Sequence, residues 1–296
     1  MTNYKKTVSA MVIYFNDYLW LESCLKNIYN YVDQIVIVEG MVDLLKKAGA
    51  KFDGSGSKII SKFPDPDGKI VFHKEMFFIH KLEQRQYALR QCTGDWIFIV
   101  DTDEFYKRNH LRKLRLKIDD VSPECNMILF PHYNFFDFEH YNKKNYMERV
   151  YKNGEYGEIG YWGEPRDGQN IYRKDVGKMW DRINFERAGQ SEVLFFNGIR
   201  CYHYSKMKDW ESLLLRAKYY ISRSDNSLSG KRLNDIASKW VREHIVCADL
   251  KSMNPYPFSD HPEIIKEHFL YKRYQQLKSA GQEHEFMTFV MGANGD

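Results

Sequence analysis

Apolar residues in the first hundred positions fall into short solid runs separated by stretches of helical period. Val8 to Tyr14 is almost continuously apolar and predicts a buried strand. Leu21, Leu25, Ile28 and Val32 then recur at helical spacing as one core-facing stripe, with Asn16 or Asp17 as the helix cap. Gln34 to Val38 predicts a second strand that stops at Glu39-Gly40. The stretch from Asp53 to Gly68 is rich in Gly, Ser, Pro and Asp and reads as a long surface loop. A third strand follows at Lys69 to His73, then a helix from Ile79 to Cys92 stopped by Thr93-Gly94. Trp96 to Val100 is a solid apolar run, the pattern of a central strand buried on both faces.

Strand, helix, strand, then helix, strand is the alternation of an α/β domain with a mainly parallel sheet flanked by helices. The second half differs. Cys125 to Phe136 and Ile199 to Tyr204 predict strands, and Tyr141 to Asn170 reads as irregular structure. From Asp209 onward the pattern is helical, with Trp210, Leu213, Leu214, Ala217 and Ile221 on one face. The division expected is a sheet domain over residues 1–206 and a helical C-terminal extension over 207–296.

Composition narrows the function only slightly. The 16% aromatic content could line a sugar or base site, although packing is the commoner use. Five scattered cysteines argue against a disulfide framework or zinc knuckle and for a reducing compartment. With no signal peptide and no apolar run near the ~20 residues of a membrane span, the expected location is the cytoplasm. The net charge of +4 suits an anionic substrate such as a nucleotide diphosphate without requiring one.

In parallel α/β sheets, ligands lie beyond the carboxyl ends of the strands. Three predicted strands end there in polar residues: Asn16-Asp17, Glu39 and Asp101-Thr102-Asp103. Two carboxylates one residue apart after a buried strand make a hard-oxygen site suited to Mg²⁺ or Mn²⁺ together with substrate phosphates. On the preceding helix Phe78, Leu82 and Leu89 share a sector about 40° wide with Arg85. A charge on a core-facing stripe needs a partner. Arg85, with Lys81, would reach a diphosphate or a carboxylate of the metal site; the alternative is an ordinary structural ion pair.

Residues 12–17 (VIYFND), 33–39 (DQIVIVE) and 94–105 (GDWIFIVDTDEF) together resemble the framework of glycosyltransferase family 2 and its GT-A relatives. Weaker likeness continues through Asn170-Ile-Tyr-Arg-Lys, Trp180, Phe185-Glu186 and Tyr202-His-Tyr-Ser. The resemblance implies a GT-A, Rossmann-like fold. It implies that Tyr14, Asn16 and Glu39 border the nucleotide base, and that Asp101 and Thr102 lie near the ribose or metal. Asp103 would ligate the metal directly. His203 would be a late metal or diphosphate ligand, with a buried structural histidine as the other reading. If the reaction inverts at the anomeric carbon, a carboxylate must deprotonate the acceptor hydroxyl; Glu186, Glu164 and Asp181 are the candidates. The sequence departs from the family pattern at Glu39-Gly40, followed by an insertion through Gly68, and at Phe185, where a histidine is expected.

The expected function is metal-dependent transfer of a sugar from a nucleotide-diphosphate donor, a UDP-sugar favoured, with Mn²⁺ or Mg²⁺. The acceptor would be a hydroxyl of a glycan or lipid-linked saccharide. A second reading is a DNA glycosyltransferase acting on hydroxymethylated pyrimidines, which needs groove access or base flipping. A third is an inactive nucleotide-sugar-binding module, against which the intact Asp101 and Asp103 argue. Nucleotidyl transfer would bring a Gly-rich basic loop after the first strand, and Tyr14-Phe-Asn-Asp has neither glycine nor a basic residue. The basic run from Lys107 to Lys117 could bind an anion, but a solvated helix face explains it more simply.

Overall fold

The computed structural model describes residues 4–153, 193–225, 227–246, 250–290 and 292. Its centre is β1 (Val8–Tyr14), paired in parallel with β2 (Gln34–Val42) on one side and β4 (Trp96–Ile99) on the other. β3 (Ile70–Phe78) extends the parallel part beyond β2. The apolar runs are explained by burial on both faces. Ala10, Val12, Ile35, Ile37 and Phe98 pack with Leu21 and Leu25 of α1 (Tyr18–Ile28). The alternate residues Met11, Val36, Val38, Ile97 and Ile99 pack with Ala88 of α4 (Lys81–Arg90) on the opposite face.

The sheet continues past β4 with a reversal of direction. β7 (His140–Lys152) runs antiparallel to both β4 and β6 (Met127–Phe135). β9 (Cys201–His203) is parallel to β6, and β5 (Glu104–Phe105) is antiparallel to β9. The order is β3-β2-β1-β4-β7-β6-β9-β5, with β8 (Val193–Phe195) also on β6 and β10 (Asn254–Pro255) on β7. The mainly parallel α/β class expected from the sequence is present.

Several boundaries differ from the sequence reading. β2 does not stop at Glu39-Gly40 but runs to Val42, through a register shift opposite β3 between Val38 and Gly40. The stretch read as a loop from Asp53 contains α3 (Ser55–Lys62). Two apolar residues there, Ile59 and Ile60, suffice to dock it on the main core. Tyr141 onward is a long strand rather than irregular structure. Its fixed pairing with β6 supplies the order that its polar composition hides. Asp17 occupies the N-cap position of α1, but its carboxylate is engaged by Thr102 and Lys208 instead of capping.

After β9 come α6 (Trp210–Ser224), α7 (Gly230–Val241), α8 (Glu263–Glu267), α9 (Phe269–Ser279) and α10 (Phe286–Val290). Leu213 and Ala217 of α6 meet Ala237 and Val241 of α7 in a small cluster of their own. Leu270, Tyr274, Leu277 and Phe286 instead join the principal core around Phe138 and Tyr204. Among the described residues no helix is long and apolar enough to cross a membrane.

Candidate active site

Strand register assembles the centre of the site. The turn after β4 carries Asp101, Thr102 and Asp103 and is closed by the Glu104 N–H donating to the Asp101 carbonyl at 3.0 Å. β5 pairs Glu104 with His203 of β9, and β9 pairs His203 with Asn134 of β6. His203 Nε2 thereby lies 3.2 Å from Asp103 Oδ1, while its Nδ1 meets Asn134 Oδ1 at 2.6 Å. Alternation along β9 sends Tyr202 and Tyr204 into the aromatic core on the other side.

Every carboxylate here faces a cation. Lys208 Nζ contacts Asp17 Oδ2 and lies 3.0 Å from Asp103 Oδ2. Arg85 of α4 reaches Asp101 Oδ1 at 3.7 Å, and Arg149 of β7 reaches Asp101 Oδ2 at 3.3 Å. Arg149 also contacts Glu104, which is fully buried. Burial alone would raise the Asp103 carboxyl, but Lys208 and His203 outweigh it and hold the group well below the usual carboxylate range. Burial likewise opposes ionisation of Glu104, and Arg149 and His132 overcome it, bringing the carboxyl to about 2. Lys208 is driven down by burial and up by Asp103 and Asp17, with a net rise.

A cavity of about 880 Å³ opens onto this cluster. Tyr14, Asn16, Asp101, Thr102, Asp103 and His203 line it, together with Lys81 and Arg85. Asn16 adopts the left-handed backbone conformation (φ 48°) and donates to the Lys51 carbonyl at 2.7 Å, tying the end of β1 to the segment that forms one wall. Tyr14 fits there because Gly56 of α3 has no side chain; a Cβ would come within 1.8 Å of its hydroxyl oxygen. Lys81 sits over the Tyr219 ring of α6 at 4.9 Å. Glu39 differs from expectation. It is fully buried beside Tyr14, where it accepts from the Glu75 N–H at 3.3 Å, and it does not line the cavity. Burial raises its carboxyl. Glu164, Asp181 and Glu186 lie outside the described residues.

The structure adds participants that sequence reasoning missed. Asp17 ends the first strand at the correct edge, but was read as a helix cap. Thr102 Oγ1 donates to it at 2.6 Å. Lys208 and Arg216 belong to no recognisable motif and reach the cavity from the chain after β9. Arg149 lay in a stretch whose strand went unread.

The donor set fits a divalent cation. Asp103, Asp101 and Asp17 offer hard oxygens, and His203 a borderline nitrogen. The 3.2 Å between His203 Nε2 and Asp103 Oδ1 is close to the ~3 Å separating adjacent donors on bonds of ~2.1 Å. Among the described residues a second set of close ligand atoms, Glu104, His132 and Cys201, is wholly buried. There Arg149 already neutralises Glu104, and burial raises the Cys201 thiol, so that set reads as structural.

Several solved structures are similar to the chain. A mannosyltransferase from Pyrobaculum calidifontis, solved with GDP-Man and Mn²⁺, is 12% identical over 97% of this chain and 86% of its own, with a TM-score of 0.45. Glucosyl-3-phosphoglycerate synthase from Mycobacterium tuberculosis, solved with Mn²⁺, uridine diphosphate and phosphoglyceric acid, is 13% identical. That match covers 75% of this chain and 79% of the synthase, with a TM-score of 0.43. S. aureus TarS is 12% identical over 95% of this chain and 90% of its own, with a TM-score of 0.41. No curated protein matches the sequence. Glycosyl transferase family 2 matches residues 9–194, more than half of the sequence, and the chain therefore belongs to that family.

Proposed function

We propose that this glycosyltransferase moves a sugar from a nucleotide-diphosphate donor, a UDP-sugar favoured, to a hydroxyl of a glycan or lipid-linked saccharide, with Mn²⁺ or Mg²⁺ at the carboxylate cluster. The observation that carries the reading is the position of Asp101 and Asp103. They stand at the carboxyl edge of the parallel strands, in the wall of a cavity large enough for a nucleotide sugar. The relatives solved with GDP-Man or uridine diphosphate and Mn²⁺ accord with it.

In this reading Tyr14 and Asn16 flank the base, and Asp101 and Thr102 lie toward the ribose. Glu39 acts from behind Tyr14 as a positioning residue. Asp103 and His203 hold the metal with Asp101, and Asp17 joins them. A divalent cation there supplies charge to offset the diphosphate as it leaves. Arg85 and Lys81 approach the same phosphates from α4. Helix α6 closes the opposite wall through Tyr219 and Arg216, so residues 207–296 are an extension of the sheet domain (1–206) that completes its site. For an inverting reaction the base would come from Glu186, Glu164 or Asp181.

Carboxylates alternate with the cations around the cavity: Asp53, Asp209 and Glu211 stand among Lys51, Lys81 and Arg216. That mixture favours a saccharide over modified DNA, which calls for an electropositive channel. The buried cysteines Cys24, Cys92, Cys125 and Cys201 are unpaired, in keeping with a reducing, cytoplasmic setting.

The test is donor turnover. The protein is incubated with UDP-, GDP- and dTDP-sugars plus Mn²⁺ or Mg²⁺, and released nucleotide is measured beside Asp103→Ala and EDTA controls. Release from one donor that vanishes in both controls is expected. Failure to bind any nucleotide sugar in the presence of metal would overturn the reading.

A further inference from the structure

Lys208 lies between two carboxylates that a divalent cation would also seek. Its ammonium contacts Asp17 and sits 3.0 Å from Asp103 Oδ2, with the side chain only 9% exposed. The other Asp103 oxygen faces His203 at 3.2 Å, so both of its oxygens have cationic or imidazole neighbours. Nor is the lysine a loose surface group that happens to fold inward. The carbonyl of the preceding residue, Met207, accepts from the buried Trp20 Nε1 at 2.8 Å, which anchors the backbone at the point where Lys208 enters the cavity wall.

We propose that Lys208 is a built-in counter-ion of Asp103 that a divalent cation must displace, and that a bound nucleotide diphosphate gives the displaced ammonium its new partner. The inference rests on the metal-dependent reading of the site and adds a control to it. Two cations in contact with one carboxylate oxygen repel strongly in a poorly solvated pocket, so occupancy of Asp103 is exclusive. The exchange is feasible because lysine carries a compact charge on a flexible four-carbon stem; a guanidinium held in a fixed fork would not relocate as readily. Charge is conserved in the exchange: the metal takes over neutralisation of Asp17 and Asp103 as the ammonium leaves them. The lysine then remains in the wall of the same cavity, where the donor phosphates are the natural anion. Metal and nucleotide binding are thereby coupled, each favouring the state the other needs. Resting enzyme holds metal weakly, and a well-bound metal reports that nucleotide is present.

The experiment is Mn²⁺ binding to the intact chain, read from the electron paramagnetic resonance signal of free Mn²⁺, with and without uridine diphosphate. Wild type is compared with Lys208→Met, Lys208→Gln and Lys208→Arg. Lys208→Gln keeps hydrogen bonds to both carboxylates and so guards against loss of fold in the methionine variant. Without nucleotide, the Met and Gln variants should bind Mn²⁺ at least about tenfold more tightly than wild type, and the Arg variant should follow wild type. Uridine diphosphate should tighten Mn²⁺ binding in wild type by a larger factor than in Lys208→Gln. Equal or weaker binding by the neutral variants would overturn the inference and leave the metal-dependent reading standing. Absence of Mn²⁺ binding in every protein, with and without nucleotide, would sink both.

Discussion

Asn134 holds His203 by a single hydrogen bond of 2.6 Å between its side-chain oxygen and Nδ1. Because an amide oxygen can only accept, the proton resides on Nδ1, and Nε2 is the atom aimed at Asp103, 3.2 Å away. Both side chains are nearly buried, so the orientation is fixed by the strands that carry them. Partners of this kind typically alter metal affinity 10- to 100-fold, by fixing a ligand's tautomer and direction. We expect Asn134→Leu to raise the Mn²⁺ concentration needed for half-maximal donor turnover by about that factor. Asn134→Asp, which keeps the acceptor, should remain closer to wild type. An unchanged Mn²⁺ dependence in Asn134→Leu would assign His203 to structure alone.

Arg149 and Glu104 make a second relationship, concerned with stability. Glu104 is fully buried and Arg149 nearly so, and the pair sits behind Asp101. Removing one member of such a pair strands the other charge in a poor dielectric, at a cost of about 3–5 kcal/mol. Arg149→Met should therefore lower stability in urea by that order. Arg149→Met combined with Glu104→Leu should recover a large part of the loss, because no buried charge remains. If the double variant is less stable than the single one, the pair is worth more than its desolvation and this account of it is wrong.

The legible parts of the chain were those whose signal is local. Solid apolar runs announced β1, β2 and β4 because both sheet faces are buried, and the Asp101–Asp103 turn follows the most apolar of them. Arg85 was legible because a charge stood on an otherwise apolar stripe, and it does reach Asp101. What escaped was set by distant pairing. β7 is ordered by β4 and β6 rather than by its own composition. Asp17 has the residue type and position of a cap, yet Thr102 and Lys208, brought close only by the fold, claim its carboxylate. Glu39 ends the family-like segment but turns into the protein beside Tyr14, because β2 continues past it to Val42.

Acid should destabilise the protein well above the range in which carboxylates titrate. Burial holds His132 and His261 down at about 4, against an ordinary 6.5. For His261 the geometry explains why: Nε2 faces the Phe138 carbonyl at 2.7 Å, and Nδ1 faces the Tyr204 hydroxyl at 2.7 Å. The neutral ring donates to one and accepts from the other, and a second proton would spoil the latter bond. Between pH 6.5 and 4 the unfolded chain binds a proton at each histidine that the folded chain refuses, so stability falls as pH falls. Each such group contributes up to about 1.4 kcal/mol per pH unit inside that window. Below it Glu104, held at about 2, extends the loss, since its contribution is present above the ordinary 4.5 and disappears toward 2. Urea midpoints measured at pH 7 and pH 5 test this; equal midpoints would mean that these histidines titrate normally in the fold.

Arg85 can serve the site in two ways, and a substitution separates them. Its side chain is 6% exposed and lies 3.7 Å from Asp101 Oδ1, a loose contact for an ion pair, on a wall of the cavity where Lys81 also stands. If its work is only to neutralise Asp101, replacing it would unbalance a buried carboxylate and lower stability without a specific effect on nucleotide. If it also meets the donor phosphates, its planar fork matters, because lysine presents a single point charge and cannot reproduce two parallel hydrogen bonds. Arg85→Lys keeps the charge for Asp101 and removes the fork, so its stability should stay within about 1 kcal/mol of wild type. We expect Arg85→Lys to weaken binding of uridine diphosphate, measured calorimetrically with Mn²⁺ present, by roughly tenfold, the loss of one charge-assisted hydrogen bond. Binding of uridine, which lacks phosphates, should be unaffected. A variant that binds uridine diphosphate as wild type does would confine Arg85 to the support of Asp101, and the phosphates would then depend on Lys81 and the cations of α6.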